Sequence, residues 1–245
     1  LARKSRLDAL LVARALAPDL AKARGLIMAG SVVVGEQRVD KPGAPVAEDA
    51  AVRVRGKGHD YVSRGALKLV HGLDHFDVPA AGRICLDLGA STGGFTQVLL
   101  ERGARRVYAV DVGRDQLAWA LRQEARVVSL EQTHARDLTP VLIPEPIDLL
   151  VADVSFISLR QALPPVFPLL AAGADLVVLV KPQFEAQPGE VEEGGLVRDP
   201  AVHARTCAEV ADALTAAGFT VRPAVACALR GTTGNQEYLL AARRA

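Results

Sequence analysis

The run LDLGASTGGFT, residues 86–96, sets three glycines, Gly89, Gly93 and Gly94, at the tip of a strand-like segment. Glycines there let a backbone turn sharply and pass close to a ligand. Asp87 stands two residues before the first glycine, and Asp111 lies 24 residues beyond Asp87, at the end of a second strand-like run, RRVYAVD. The spacing is not G-x-G-x-x-G, and each aspartate alone would read equally well as a turn cap or a loop start. Together they say more. A carboxylate beside a glycine turn suits a cationic ligand better than a pyrophosphate, and one at the end of the next strand can hold ribose hydroxyls. S-adenosylmethionine carries an ammonium, a sulfonium and a ribose but no phosphate, so the set favours it over NAD. The candidate cofactor residues are Asp87, Gly89, Ser91, Gly93, Gly94, Asp111 and Val112.

A methyl donor raises the question of the accepting atom. Methylases of exocyclic amines usually place Asp/Asn-Pro-Pro-aromatic after the fourth strand; the stretch here, ADVSF at 152–156, has no prolines. Methylation at carbon 5 of a pyrimidine needs a cysteine nucleophile in the site. Cys207 falls in a helix-like segment and Cys227 in the middle or late part of a strand, so neither is well placed. A hydroxyl acceptor remains. Two lysines stand out. Lys68, in VSRGALKLV at 62–70, sits on an expected helix with Ser63 as its cap and Ala66, Leu67, Leu69 and Val70 as its buried side. Taken alone it is a solvated helix lysine. Lys181 follows five apolar residues and taken alone serves equally as a strand-end cap.

The elements that would hold these residues alternate between strand-like and helix-like from residue 83 onward. RICLDLG, RRVYAVDVG, ARVVSLE, IDLLVADVSF and DLVVLVKP read as strands, with helices expected through FTQVLLERG, QLAWALRQ and SLRQALPPVFPLL. Asp199-Pro200 marks another helix start, and FTVRPAVACAL and EYLLAA are two final strand-like runs. This alternation implies an α/β fold, an open and mostly parallel sheet with helices on both faces and ligands at the carboxyl ends of the strands.

Residues 1–70 carry 13 Lys/Arg against seven Asp/Glu, and the remainder 16 against 21. That asymmetry fits a polyanion met mainly by the front of the chain, and equally a chance excess of surface charge. In the front part, Ser5 with Asp8 resembles a capping box, and Leu7, Leu10 and Leu11 form a helical stripe. Pro18-Asp19 marks a break, and a second helix runs to Gly30 as its C-cap. SVVVGEQRV reads as a hairpin and AVRVR as a strand, and RGKGHD at 55–60 as a hinge. The most apolar stretch, LLAAGADLVVLV at 169–180, is well short of the ~20 residues needed to cross a bilayer. No signal peptide is visible, and three scattered cysteines without a Cys-x-x-Cys pair read as reduced thiols of a cytoplasmic protein.

The run LDALLVARAL…AKARGLIMAGSVVVG resembles the S4 RNA-binding module, a small α+β unit. The stretches VSRGALKL, LDLGASTGGFT, ADVGRDQLAWALR, VADVSFISL, LVKPQFE and GNQEYLL resemble the TlyA, or hemolysin-A type, ribosomal RNA 2′-O-methyltransferases, relatives of the FtsJ-like methylases. The resemblance implies an S4-type domain over 1–58 and a Rossmann-like class I methyltransferase domain over 59–245. It implies phosphate contacts by Arg3, Lys4, Arg6, Lys22 and Arg24, S-adenosylmethionine as cofactor, no metal, and no membrane partner. It also implies a catalytic tetrad of Lys68, Asp153, Lys181 and Glu237. A ribose 2′-hydroxyl is a very weak acid; Lys181 could take its proton if nearby Lys68 and partial burial lower its proton affinity, a shift that Asp153 and Glu237 oppose. The transfer would be an in-line displacement aided chiefly by positioning. The implied acceptors are cytidines of ribosomal RNA within ribosomal subunits. The chain's end soon after EYLLAARRA leans towards the family's short form, which acts on the large subunit, rather than the long form that acts on both. His134 and Asp137 lie where an adenine could rest but stay outside the set, since the family more often has Asn at the former. A pore-forming protein and a non-catalytic ribosome-assembly factor are the competing readings.

Overall fold

The structure is a computed structural model that describes residues 4–14, 16–17, 19–28, 30–35, 37–54 and 61–245. The chain divides into two compact units, Leu1–Asp60 and Tyr61–Ala245. The hinge expected at 55–60, Pro18 of the expected break and Arg3 of the RNA-contact set lie outside the described residues.

In the first unit, strand β1 (Lys4–Arg6) leads into helix α1 (Leu7–Ala13), followed by α2 (Leu20–Met28), β2 (Val32–Val34), β3 (Gln37–Arg38), β4 (Pro45–Ala47) and β5 (Val52–Val54). The expected hairpin is β2–β3, and β5 completes a three-stranded sheet; β1 pairs separately with β4. Leu7, Leu10 and Leu11 pack on Ala23, Ile27, Val32 and Val46. Gly30, at φ +66°, closes α2 as its position suggested. The capping box does not form. Ser5 lies in β1, where its hydroxyl donates to Glu48 Oε1 at 2.6 Å. Asp8 is buried instead, accepting from Arg6 Nη2 at 2.7 Å and Arg24 Nε at 3.1 Å.

That contact has a measurable consequence. The Arg6 guanidinium, foremost, holds the Asp8 carboxyl well below the usual carboxylate range. Its contribution to stability is therefore full above about pH 4 and is lost as pH falls through its lowered value. Asp8→Asn is expected to weaken α1 by about 2 kcal/mol, read as roughly 30-fold faster amide hydrogen exchange across the helix at pH 7. Unchanged exchange would mean that the arginines contribute nothing there.

The second unit begins with α3 (Ala66–His75) and continues β6 (Ile84–Leu88), α4 (Gly94–Glu101), β7 (Arg106–Val110), α5 (Trp119–Arg122), β8 (Val127–Leu130) and β9 (Ile147–Ala152). It ends with α6 (Leu159–Ala162), β10 (Leu170–Val180), α7 (Pro182–Glu185), α8 (Pro200–Ala216), β11 (Phe219–Val221), β12 (Val225–Ala226) and β13 (Tyr238–Arg244). The strands form one sheet in the order β11-β13-β10-β9-β6-β7-β8, with β12 also paired to β13. β6 to β10 run parallel, while β13 is antiparallel to β10 and to β11. From β6 the chain winds outward through β7 and β8, then returns to place β9 on the other side of β6. Such a switch point opens a crevice at the carboxyl ends of the two central strands.

Alternation along β6 divides the core. Leu86 and Leu88 face Leu150, Val178, Val210 and Leu214 on the α8 side. Cys85 faces Leu69, Leu73, Val98 and Leu99 on the α3–α4 side. Several expected elements are shorter than their sequence suggested. The stretch from Ser158 becomes one turn of α6 and a 3-10 segment, Pro164–Leu169, because Pro164, Pro165 and Pro168 lack the N–H a helix needs. The helix through QLAWALRQ is only α5, and the run around Pro223 breaks into β11 and β12. Ser63 does not cap α3; Gly65 holds that position with no side-chain hydrogen bond. Asp199 does cap α8, accepting from the Ala201 N–H at 2.8 Å, with Pro200 in the first turn.

Candidate active site

Two adjoining cavities line the carboxyl ends of β6, β9 and β10, and both are bordered by Gly89, Ser91, Asp153 and Ser155. The first, about 290 Å³, is walled by Ser63, Arg64, Lys68, Asp153, Lys181 and Glu237 among others. The second, about 350 Å³, is walled by Asp111, Val112, Gln116, His134, Phe156 and Ile157 among others.

The glycine turn makes both possible. Gly89, at φ +86°, passes so close to the chain after β9 that a Cβ there would stand 2.6 Å from the Asp153 carbonyl oxygen. Gly94 opens α4 beneath α3, where a Cβ would meet the Ser63 hydroxyl at 2.1 Å. Asp111 fastens the turn from β7: its Oδ2 accepts the Ser91 N–H at 2.8 Å and its Oδ1 the Gly113 N–H at 2.7 Å. Each oxygen retains lone-pair capacity towards the second cavity. Val112 lies exposed on that cavity's wall. His134 lines it as well, with Nδ1 accepting from the Arg136 N–H at 3.3 Å, whereas Asp137 is exposed and away from the wall.

Asp87 differs from its expected place. It lies within β6 on the Cys85 face, fully buried under α4, and borders neither cavity. Thr96 Oγ1 donates to its Oδ2 at 2.6 Å, while Oδ1 has no partner. Burial, reinforced by Asp153 and Asp111, pushes its carboxyl up to about 7 against the Thr96 bond. Asp87 therefore underlies the turn rather than facing the crevice.

The first cavity brings four distant residues together. Lys181, at the end of β10, lies with Nζ 2.6 Å from Asp153 Oδ1, an ion pair without hydrogen-bond alignment, and donates to Ser155 Oγ at 2.9 Å. Its ammonium also stands 5.7 Å from the Phe184 ring centre. Lys68, on α3, pairs with Glu237 just before β13. The lysine side chains are each 11% exposed and Glu237 4%. Two amines and two carboxylates in this half-dry space balance in formal charge. Burial pushes the Cys227 and Cys85 thiols up to about 12 and Cys207 to about 11, so none is a ready nucleophile.

Sequence reasoning left out Arg64, Ser155, Phe156 and Arg230. Arg64 and Arg230 are exposed on the first cavity's wall. Phe156 is 91% exposed at φ +64°, a conformation costly for an aromatic residue and typical of functional turns. Nothing local in ADVSF signals it. In the first unit, Lys4, Arg6, Lys22 and Arg24 are all exposed, with Arg6 and Arg24 converging on Asp8. Among the described residues no helix is long and apolar enough to cross a membrane.

Comparison with known proteins accounts for both units. Residues 61–244 match the FtsJ-like methyltransferase family and residues 5–52 the S4 domain. The 16S/23S rRNA (cytidine-2′-O)-methyltransferase TlyA of Mycobacterium tuberculosis is 48% identical over 98% of this chain and 90% of its own length. Hemolysin A of Brachyspira hyodysenteriae is 36% identical over 96% of this chain and 98% of its own. A solved structure of a hemolysin-named protein from Streptococcus thermophilus matches with a TM-score of 0.76 at 38% identity, covering all of this chain and 90% of the other. The chain thus belongs to the FtsJ-like methyltransferases that carry an S4 domain, the family of TlyA and Hemolysin A.

Proposed function

We propose that this chain moves a methyl group from S-adenosylmethionine to the 2′-hydroxyl of a cytidine ribose in ribosomal RNA, acting on ribosomal subunits in the cytoplasm. The observation that carries the reading is the pairing of Lys181 with Asp153 and Lys68 with Glu237 in one half-dry cavity at the carboxyl ends of the strands. The naming of the Mycobacterium tuberculosis relative supports the acceptor.

The residues present fit S-adenosylmethionine. Asp111 faces the second cavity with a carboxylate suited to a ribose diol, Val112 and Ile157 offer apolar wall for a base, and the Gly89 turn leaves no side chain in the way. When bound, the cofactor supplies a methyl on a cationic sulfur that leaves as a neutral thioether. The chain's own residues do the rest. Asp153 and Ser155 fix the direction of Lys181 Nζ, and Glu237 fixes Lys68 Nζ, so that both amines converge on one acceptor oxygen. Lys181 Nζ, having passed its own proton to solvent, takes the proton of the 2′-oxygen as the new O–C bond forms, and Lys68 Nζ donates to that oxygen as its charge develops. Arg64 and Arg230 hold the neighbouring phosphates, and the S4-type unit over 1–58 supplies further phosphate contacts through Arg3, Lys4, Arg6, Lys22 and Arg24.

Transfer of labelled methyl to purified large and small ribosomal subunits tests this. Label is expected on the ribose of a cytidine, and the labelled subunit identifies the target. Label on a nucleobase, or none on either subunit, would refute the reading.

A further inference from the structure

The two segments that carry Lys181 and Asp153 are joined away from the cavity by a carboxylate that touches neither wall. Glu185 ends the single turn of α7, four residues after Lys181, and its side chain is 2% exposed. Its Oε1 accepts the Leu159 N–H at 2.6 Å, and its Oε2 accepts the Ser158 hydroxyl. Arg160 Nε stands 3.4 Å from Oε2, and Arg160 Nη2 donates to the Glu185 carbonyl at 3.3 Å. Ser158 meanwhile caps α6, accepting the Arg160 N–H at 3.1 Å. Arg160 is anchored in turn by Glu209 of α8 at 3.0 Å.

Ser158 closes the turn that runs from Asp153 through Ser155 and the strained Phe156, whose ring lies 5.2 Å from that of Phe184. Without a fastening at its far end, that turn could relax the positive φ of Phe156 and carry Ser155 away from Lys181. A buried carboxylate is a poor choice for stability alone, since desolvation offsets much of what its partners return. What it does supply is a fixed register between two loops. We propose that Glu185 is a positioning residue for methyl transfer, holding the Asp153–Ser158 turn against the Lys181 segment so that Ser155 and Asp153 orient the amine. The inference rests on the reading of Lys181 as the group acting on the acceptor hydroxyl.

The test uses the full chain with purified ribosomal subunits and S-adenosylmethionine, comparing wild type, Glu185→Gln, Ser155→Ala, their double variant and Lys181→Ala. Glutamine keeps an acceptor for Leu159 but turns an amide towards Ser158 and Arg160. Glu185→Gln is expected to slow single-turnover transfer by about 10- to 100-fold with cofactor affinity within about threefold of wild type, because misplacement affects the reaction more than binding. The double variant is expected to be no more than about threefold slower than the slower single variant, since both act through one contact. Wild-type rates for Glu185→Gln, or losses that multiply in the double variant, would overturn the proposal. If Glu185→Gln does not fold, Ser158→Ala takes its place in the same cycle and decides on the same criterion. An active Lys181→Ala protein would sink the catalytic reading itself, whereas an inactive one beside a fully active Glu185→Gln sinks only the positioning role.

Discussion

Lys181→Ala is expected to slow single-turnover methyl transfer to the ribosomal subunit by about 1,000-fold or more, with cofactor affinity within about threefold of wild type. In the proposed reading Lys181 is held on the acceptor side of the crevice by Asp153, Ser155 and Phe184, while Asp111 and Val112 of the candidate cofactor set lie across the shared border in the second cavity. In that reading alanine removes the group that takes the hydroxyl proton, and it leaves Asp153 without its cation. An unpaired carboxylate in that position repels the negative charge that grows on the attacking oxygen, so the loss exceeds that of a missing base alone. Arginine is no remedy: its planar fork would pair with Asp153, but it offers no lone pair to a proton. Asp153→Asn, which keeps the shape and removes the charge, is expected to lose less, about 10- to 100-fold. Rapid-quench transfer with saturating enzyme checks the ordering, and a Lys181→Ala rate within about tenfold of wild type would remove this lysine from the chemistry.

Much of this arrangement is legible in the sequence, and what is not has definite physical causes. The alternation of strand-like and helix-like runs carries the parallel sheet, because buried parallel strands read as apolar blocks and caps such as Asp199-Pro200 punctuate them. Lys68, Asp153, Lys181 and Glu237 are far apart in sequence, and only resemblance to a family grouped them; the sheet order then brings them to one cavity. Asp87 shows the limit of spacing arguments. Its distance from the glycines is right for a ligand contact, but strand alternation turns it to the α4 side, one residue out of phase with the crevice. Ser63 and Ser5 both stand at plausible caps, yet Gly65 and Arg6 hold those positions; Ser5 is drawn into the β1–β4 pair and bonds Glu48, 43 residues away, a contact that no local pattern reports. Ser155, Phe156 and Glu185 depend on two loops meeting, which only the third dimension supplies.

The buried Asp87 leads to a prediction about stability. Its carboxyl, ordinarily near 3.8, is raised to about 7 in the folded chain. Below about pH 4 the group is protonated folded or unfolded and exacts nothing. Between the two values the folded state keeps a proton that the unfolded state has lost, so stability falls as pH rises, by up to about 1.4 kcal/mol per pH unit, and levels off above pH 7 at a total of about 4 kcal/mol. Asparagine escapes that penalty. Its carbonyl oxygen can still accept from Thr96, while its amide takes the place of an oxygen that has no partner, at a roughly constant cost of about 2 kcal/mol. Asp87→Asn is therefore expected to be more stable than wild type by about 2 kcal/mol at pH 8, with the advantage gone near pH 5. Urea unfolding of both proteins, followed by circular dichroism at pH 5, 6.5 and 8, measures the difference. A gap that stayed constant with pH would show that Asp87 is ionised in the folded protein throughout, and that the turn above it lets in enough water to solvate the charge.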